Sequence, residues 1–211
     1  MRHGHVDYFG PEIMAAGGDS KVVPLTPLGQ RQAAAAGHAL SHVRFDRALC
    51  SGVPRTRQTA ELVLAGQPED ARPVLETDPD LVEIHGGRFG EVKSRAELAA
   101  KMAFHFEIAA EPGATMLEGG EAFSDAERRA VGAVRRLLAE PGWHTVLIAA
   151  HEGINRIILG WATLGSRGGS GLKGAPAFEQ DPACVNVTPY NYFKHGMNMT
   201  SLEAIFARDP R

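Results

Sequence analysis

The sequence has only two cysteines, Cys50 and Cys184, among 211 residues. Two cysteines are too few for a disulfide framework, and each lies in an apolar run that is typical of a buried strand. A chain of this kind needs no oxidising compartment. We therefore expect a cytoplasmic protein with reduced thiols.

Long apolar segments and a strong net charge are also absent. No apolar run reaches the roughly 18 residues that span a bilayer, and no charged-then-apolar leader opens the chain. The formal net charge of -3 gives no general attraction to nucleic acid or to an anionic membrane. We expect a soluble, unprocessed protein without nucleic-acid or membrane partners, in which any anion site depends on a local cluster of cations.

Strand and helix patterns alternate along the chain. The hydrophobic fraction of 44% is enough for the core of one ordinary domain. Thr26 is expected to cap one helix and Ser124 to open another through a capping box. This alternation predicts an α/β fold with a largely parallel sheet covered on both faces. The predicted strands are 47–51 and 145–150, and the predicted helices are 27–40, 54–66, 94–110, 124–140 and 154–164.

We interpret residues 1–211 as a single domain without internal repeats, with a small helical cap at about 92–123. The glycine-rich segment 165–182 is predicted to be a flexible surface loop, with a substrate lid as the alternative. Arg2 should follow a buried strand, yet only Met1 precedes it. We therefore expect the natural protein to carry about seven or more largely apolar residues before Met1.

Three segments with arginine or histidine side chains are expected to meet at one edge of the sheet. Ligands of open parallel sheets collect beyond the carboxyl ends of the strands, where helix N-termini point their free N–H groups. Arg55 lies in a first helical turn, His151 follows the most apolar strand, and Arg2-His3-Gly4 is typical of a turn at a strand end. Two guanidinium groups and two imidazoles around one point form a site for a phosphate dianion.

Six short motifs follow one another along the chain: Arg2-His3-Gly4-His5, Leu25 to Gly29, Ser51 to Ala60, Leu81 to Glu91, Gly119-Gly120-Glu121 and Ala150-His151-Glu152-Gly153. In residues and order they resemble the motifs of the histidine phosphatase superfamily, also called the phosphoglycerate mutase-like family. The resemblance covers most of the chain. It implies a three-layer α/β/α sandwich with a mostly parallel central sheet.

The resemblance also implies residue roles. His3 would be the nucleophile that becomes phosphorylated, and Glu83 the proton donor. The enzyme would be a phosphoric monoester hydrolase of the histidine acid phosphatase type, acting on a small phosphorylated metabolite without cofactor or metal. The groups implied to hold the phosphoryl group are Arg2, Gly4, Arg55 and His151.

Elementary chemistry agrees with these roles. An imidazole attacks phosphorus only when it is neutral, and neighbouring cations lower the pKa of His3. The same cations stabilise the charge on the phosphoryl oxygens during transfer. Glu83 would protonate the leaving oxygen and then take a proton from the attacking water.

Some residues near the motifs have open roles. His5 stands where the family often has glutamate or glutamine, and it would either contact substrate or orient His3. His85 follows the acid motif and is a candidate substrate contact. Asp80 and Glu91 compete with Glu83 for the role of acid.

Two of the implied site residues have structural alternatives. Arg55 could be an exposed helix arginine paired with Glu61, and His151 could be a core histidine at a strand end. Gly153 favours the functional interpretation of His151, because a glycine lets the backbone approach a ligand.

Other functions remain as alternatives to a phosphatase. A cofactor-dependent phosphoglycerate mutase-like phosphotransferase would share the phosphohistidine, but the segment 92–117 lacks the paired arginines of family mutases. His3-Gly4-His5-Val6-Asp7 also matches an H-x-H-x-D zinc metallohydrolase string, although Tyr8 follows where a histidine would be wanted. A third alternative is a non-catalytic phosphate-binding module. Such a module would not need the catalytic residues, and all the catalytic positions are filled in this sequence, which argues against it. A homodimer is compatible with the sequence.

Overall fold

The computed structural model describes residues 1–15, 20–88, 97 and 105–163. In these ranges the sheet has three strands, all parallel, in the order β2-β1-β3. Ala48 of the central strand lies opposite Leu75 on one side and Leu147 on the other. The strands are β1 (Arg47–Cys50), β2 (Leu75–Thr77) and β3 (Val146–Ala149).

Five α-helices are described: α1 (Pro11–Ala15), α2 (Pro27–Ala39), α3 (Pro54–Leu64), α4 (Phe123–Ala139) and α5 (Glu152–Thr163). Thr26 caps α2 as predicted, because its Oγ1 accepts a hydrogen bond from the Gly29 N–H at 3.2 Å. Single 3₁₀ turns lie at Ser20–Val22, Glu69–Ala71, Pro79–Leu81 and His105–Ile108.

Alternate residues of the strands face different helix layers. Ala48 and Cys50 of β1 belong to a core cluster with residues of α2 and α3. Leu49 belongs to the cluster of α4 and α5 on the opposite face. Since successive strand side chains point to opposite faces, the helix pairs cover both sides of the sheet. The predicted three-layer α/β/α sandwich with a parallel sheet is confirmed.

Residues Met1 to His3 extend along the carboxyl end of β3. Arg2 forms an isolated parallel bridge with Ala150. The N–H of Ala150 donates to the Met1 carbonyl at 2.8 Å, and the N–H of His3 donates to the Ala150 carbonyl at 3.1 Å. This pairing brings His3 beside the residue that follows Ala150, which is His151. The expected further residues before Met1 stay a prediction.

The capping box predicted at Ser124 is wrong. Helix α4 begins at Phe123, and its N-cap is Ala122, which makes no side-chain cap. Ala122 pairs with Thr115 in an antiparallel bridge, and the fully buried Phe123 ring packs against Phe106. Core packing of Phe123 thus sets the start of the helix one residue before Ser124.

Strand β2 was not predicted, because Leu75-Glu76-Thr77 has a single apolar residue and lies at one end of the described strand order. The predicted helix 94–110 lies mostly outside the described residues, as does the whole loop 165–182. The proposed cap at 92–123 is described only at residue 97 and from residue 105 onward. Among the described residues, no helix is long and apolar enough to cross a membrane.

Candidate active site

His3 is buried and directly follows the bridge between Arg2 and Ala150. Its Nδ1 lies 2.7 Å from the carbonyl oxygen of Gly4. A carbonyl only accepts, so Nδ1 carries the proton and Nε2 keeps its lone pair. Burial, followed by the charges of Arg2 and Arg55, holds the pKa of His3 well below its ordinary value. The resting imidazole is therefore neutral and has one nucleophilic nitrogen.

The imidazole of His151 lies next to that of His3 in an edge-to-face arrangement. The ring centroids lie 5.3 Å apart at an angle of 68°. The Nε2 of His151 lies 2.8 Å from Ser51 Oγ, which lies 2.9 Å from Thr56 Oγ1. The Thr56 hydroxyl in turn donates to the Val53 carbonyl at 3.0 Å. This chain of hydroxyl groups at the start of α3 fixes the orientation of the second imidazole.

Arg55 completes the cationic side of the site. Its Nη2 lies 3.4 Å from His151 Nδ1, and its Nη1 donates to the Ser20 carbonyl. Its Nε is buried and has no hydrogen-bond partner in the described part of the chain. Arg55 is only 4% exposed, whereas Arg57 pairs with Glu61 at 4.0 Å. The alternative of an exposed Arg55 paired with Glu61 is therefore wrong.

The guanidinium carbon of Arg55 also lies 5.8 Å from the centre of the Tyr8 ring. Burial raises the pKa of Tyr8, and the charges of Arg55, Arg2, Glu83 and Glu152 also act on it. Tyr8 is thus part of the wall around the candidate site.

Arg2 is more exposed than Arg55, with a side chain that is 22% exposed. Its Nη1 forms an ion pair with Glu152 Oε2 at 3.0 Å, and both side chains are partly exposed. Burial, followed by electrostatic interactions with His3, Arg55 and Arg2, holds the pKa of His151 well below its ordinary value. Arg2 therefore acts on both imidazoles through its charge.

Glu83 lies at the N-terminus of α5. Its Oε2 accepts from the Gly153 N–H at 3.2 Å, and its Oε1 accepts from the Ile154 N–H at 3.3 Å and the Ile84 N–H at 3.0 Å. Burial raises the pKa of this carboxyl, while the bonds from Ile84 and Gly153 oppose the rise. The helix-end amides that we expected to bind phosphate are occupied here by a carboxylate.

Gly4 and His5 pack tightly against the start of α2. A Cβ on Gly4 would lie 2.5 Å from the Gly29 carbonyl oxygen, and the Gly4 N–H donates to Thr59 Oγ1 at 3.1 Å. His5 Nδ1 lies 2.8 Å from Thr26 Oγ1, and the His5 N–H donates to Gln32 Oε1 at 2.8 Å. An electrostatic interaction with His5 also contributes to the lowered pKa of His3. The phosphate-binding role of Gly4 stays a prediction.

The remaining candidates differ in their placement. The side chain of His85 is exposed, and the backbone N–H of His85 donates to Glu121 Oε2 at 3.2 Å. Asp80 forms an ion pair with Arg136 on the surface. Glu91 lies outside the described residues. Of the two candidate acids that the structure describes, Asp80 and Glu83, only Glu83 therefore bonds through its carboxyl to the start of α5.

The H-x-H-x-D string does not form a cluster of ligands. His3 and His5 use their Nδ1 atoms toward Gly4 and Thr26, and Asp7 Oδ1 accepts from the Phe9 N–H at 3.0 Å. In the described ranges, no group of three or more His, Cys, Asp or Glu side chains is arranged to hold a metal ion.

Sequence reasoning assigned no role to Ser51, Tyr8 and Arg129, which all lie at or behind this site. Ser51 was only part of a motif, and a serine beside a histidine becomes visible only when β1 and β3 are adjacent. Arg129 donates to the Asp80 and Val82 carbonyls at 2.6 and 2.7 Å. No local signal in the sequence separates it from the other arginines of α4.

Two buried imidazoles, a buried arginine and a carboxyl of raised pKa are groups of the kind that phosphoryl transfer requires. The model of the histidine phosphatase superfamily (branch 1) matches residues 1–200. The chain belongs to this superfamily.

Its relatives include phosphatases of bacteria and yeast. An adenosylcobalamin/alpha-ribazole phosphatase of Salmonella typhimurium is 31% identical over 137 residues. These residues are 64% of this chain and 65% of the relative, so the match spans just under two thirds of the relative's length. A broad-specificity phosphatase of Saccharomyces cerevisiae is 26% identical over 170 residues, 76% of this chain and 67% of the relative. The crystal structure of the alpha-ribazole phosphatase from Shigella flexneri is 25% identical, with a TM-score of 0.60, over 87% of this chain and 85% of that one.

Proposed function

We propose that the chain is a phosphomonoesterase that acts on a small phosphorylated metabolite through a phosphohistidine at His3. The observation that carries the proposal is the pairing of His3 and His151, two buried imidazoles 5.3 Å apart beside the buried Arg55. A dianion in this space would offset the cationic charge of Arg55 and Arg2. The phosphatase names of the relatives support the same activity.

The first half-reaction forms the phosphoenzyme. The lone pair of His3 Nε2 attacks phosphorus, the ester P–O bond breaks, and the leaving oxygen takes the proton of Glu83. The Gly4 carbonyl stabilises the positive charge that develops on the imidazole, because it accepts from Nδ1–H. The phosphate dianion next to His151 favours the cationic form of that ring, which can then donate to a phosphoryl oxygen.

The second half-reaction releases phosphate. Glu83, now a carboxylate, takes a proton from water, the water oxygen attacks phosphorus, and the N–P bond returns its electron pair to His3 Nε2. The raised pKa of Glu83 suits a group that is an acid in one step and a base in the next.

Hydrolysis rather than mutase activity is supported by the sequence between residues 92 and 117, which has no paired arginines to hold a second carboxylate-bearing substrate. The filled catalytic positions argue against a non-catalytic module.

A cytoplasmic location belongs to the proposal as well, and it is supported by the low cysteine content and by the buried, free Cys50.

The test is the release of free phosphate from a panel of phosphomonoesters that includes a phosphoglycerate, with and without a strong chelator. We expect phosphate release that survives chelation and is inhibited by vanadate, and negligible interconversion of phosphoglycerate isomers. Loss of activity in chelator that zinc restores would favour a metallohydrolase. Isomerisation without phosphate release would favour a mutase.

A matched pair of variants on α3 tests the site itself. Arg55→Met removes the buried guanidinium and should lower kcat/KM by about 10²–10³, whereas Arg57→Met removes a side chain that is 42% exposed and should change it less than about threefold. Equal effects of the two substitutions would contradict the assignment of Arg55.

A further inference from the structure

Glu83 belongs to a short segment that follows β2, and we call residues 80–85 the acid loop. The acid loop includes the last two residues of the 3₁₀ turn Pro79–Leu81. Leu81 and Ile84 are buried on either side of Glu83. The loop has no strand partner in the described part of the chain, so its backbone carbonyls need donors from elsewhere. An unpaired buried polar group would cost free energy comparable to a lost hydrogen bond.

Arg129 of α4 supplies these donors. Its Nη1 donates to the carbonyls of Asp80 at 2.6 Å and Val82 at 2.7 Å, and its Nη2 approaches the carbonyl of Glu83 at 3.4 Å. A guanidinium has five N–H donors in a rigid fork, so one side chain can hold three carbonyls of the same loop.

Glu121 holds Arg129 in this position. Its carboxylate accepts from Arg129 Nε at 2.7 Å and Nη2 at 2.8 Å. The same residue fixes the far end of the acid loop, because the Glu121 N–H donates to the His85 carbonyl at 2.8 Å and the His85 N–H donates to Glu121 Oε2. The two side chains are only 18% and 20% exposed, so the bidentate pair is well shielded from solvent.

We propose that Arg129, held by Glu121, is a positioning residue for Glu83 that sets how well this carboxyl delivers its proton. The inference rests on the proposed function in that Glu83 is the acid. Arg129 bonds to the backbone of the acid loop, while the carboxyl of Glu83 bonds to the amides of Gly153 and Ile154. Glu83 is therefore held from two sides, by α4 through its backbone and by α5 through its carboxyl.

Loss of the Arg129 bonds should displace Glu83 without displacing His3, Arg55 or His151, which lie on other segments. A displacement of about 1 Å can cost on the order of 10² in rate. Only esters with poor leaving groups need the proton of Glu83 during phosphoryl transfer. The inference therefore predicts a loss that depends on the leaving group.

The experiment measures kcat/KM for an aryl phosphate with a good leaving group and for an alkyl phosphate. Arg129→Met should lower the alkyl value by about 10- to 100-fold and the aryl value by less than about threefold. Glu121→Gln should give the same pattern with a smaller loss. Arg136→Met is the control, because Arg136 lies on the same helix but bonds the side chains of Asp78 and Asp80 and no backbone carbonyl of the acid loop. It should leave kcat/KM for both esters within about threefold of the unmodified protein.

Equal losses on both esters, or none, in Arg129→Met would overturn the inference. If that variant does not fold, Arg129→Lys keeps the charge near Glu121 but cannot bond three carbonyls, and it should show the same leaving-group dependence. The double variant Glu83→Gln with Arg129→Lys should hydrolyse the alkyl ester as slowly as Glu83→Gln alone, since Arg129 acts through Glu83. Losses that multiply would overturn the inference as well.

A second readout does not depend on turnover. Carbon-13 NMR titration of the Glu83 carboxyl should give a raised pKa in the unmodified protein and in Arg136→Met, and a pKa nearer the ordinary value in Arg129→Met, because the carboxyl leaves its buried position. If the unmodified protein hydrolyses neither ester, the proposed function fails while this titration still tests the positioning. An unchanged pKa in Arg129→Met would show that Arg129 does not position Glu83.

Discussion

The Nδ1 atom of His3 lies 2.7 Å from the carbonyl oxygen of Gly4. Because this bond places the proton on Nδ1, the phosphoryl group must form on Nε2. We expect rapidly quenched enzyme to carry an acid-labile, base-stable phosphoryl group, and phosphorus-31 NMR of the denatured protein to identify the Nε2 isomer.

His3→Ala should remove both the phosphoenzyme and turnover while the fold persists, since the bonds of residues 1–3 to Ala150 are made by backbone atoms. His42→Ala, at an exposed histidine, is the matched control and should keep both. A phosphoenzyme in His3→Ala, or an Nδ1 isomer in the unmodified enzyme, would contradict the assignment.

The pH dependence of the rate should separate Glu83 from His3. Burial raises the pKa of Glu83 above its ordinary value of about 4.5, so its acid form is lost only as the pH rises through that higher value. The kcat/KM for an alkyl phosphate should therefore fall over a range that lies above pH 4.5, whereas an aryl phosphate should lack this descending limb.

Glu83→Gln should abolish the difference between the two pH profiles and slow the alkyl ester by about 10²–10⁴. The pKa of His3 is held well below its ordinary value, so protonation of the nucleophile should not reduce the rate near pH 6.5. A descending limb of equal size for both esters would remove Glu83 from the role of acid.

Sequence patterns predicted the parts of the site that follow from local structure. Arg55 is found where a proline-initiated helix begins, and His151 is found where an apolar strand ends, so both could be placed before the sheet was known. Arg129 and Ser51 could not, because the carbonyls that Arg129 bonds near Glu83 lie 46 or more residues away along the chain. His151 lies 100 residues from Ser51. Their roles depend on which elements become neighbours, and no local periodicity reports that.

Gly153 offers a test of the space around Glu83. A Cβ at this position would lie 2.8 Å from Glu83 Oε1 and 2.9 Å from Ile84 Cδ1. Gly153→Ala should therefore displace the carboxyl and lower the kcat/KM of an alkyl phosphate by at least about tenfold, even though alanine is the better helix former by about 1 kcal/mol.

Gly132→Ala is the matched control within α4. A Cβ there would lie 3.6 Å from Arg136 Nη1, which is ordinary contact. We expect unchanged kinetics and a gain in the free energy of unfolding of roughly 0.5–1 kcal/mol, measured by urea denaturation. Unchanged alkyl phosphatase activity in Gly153→Ala would show that Glu83 tolerates displacement.

The buried imidazoles of His3 and His151 should make the stability of the fold depend on pH. Both pKa values are lowered in the folded protein, chiefly by burial, whereas an unfolded histidine titrates near 6.5. Between the folded and unfolded values the unfolded chain binds more protons, so the free energy of unfolding falls as the pH drops below about 6.5. Each histidine should therefore lower the free energy of unfolding between pH 7.5 and pH 5.5, by on the order of 1 kcal/mol.

Urea unfolding at these two pH values checks the sign and the source of the effect. His3→Ala should lower the free energy of unfolding at both pH values, because it leaves a cavity. The difference between the two pH values should nevertheless be smaller than in the unmodified protein, by on the order of 1 kcal/mol. His42→Ala should leave that difference unchanged, because its imidazole is exposed in the folded state. If the difference in the free energy of unfolding between the two pH values is the same in His3→Ala, burial does not hold His3 neutral. His3 would then be protonated at the lower pH and unable to attack phosphorus.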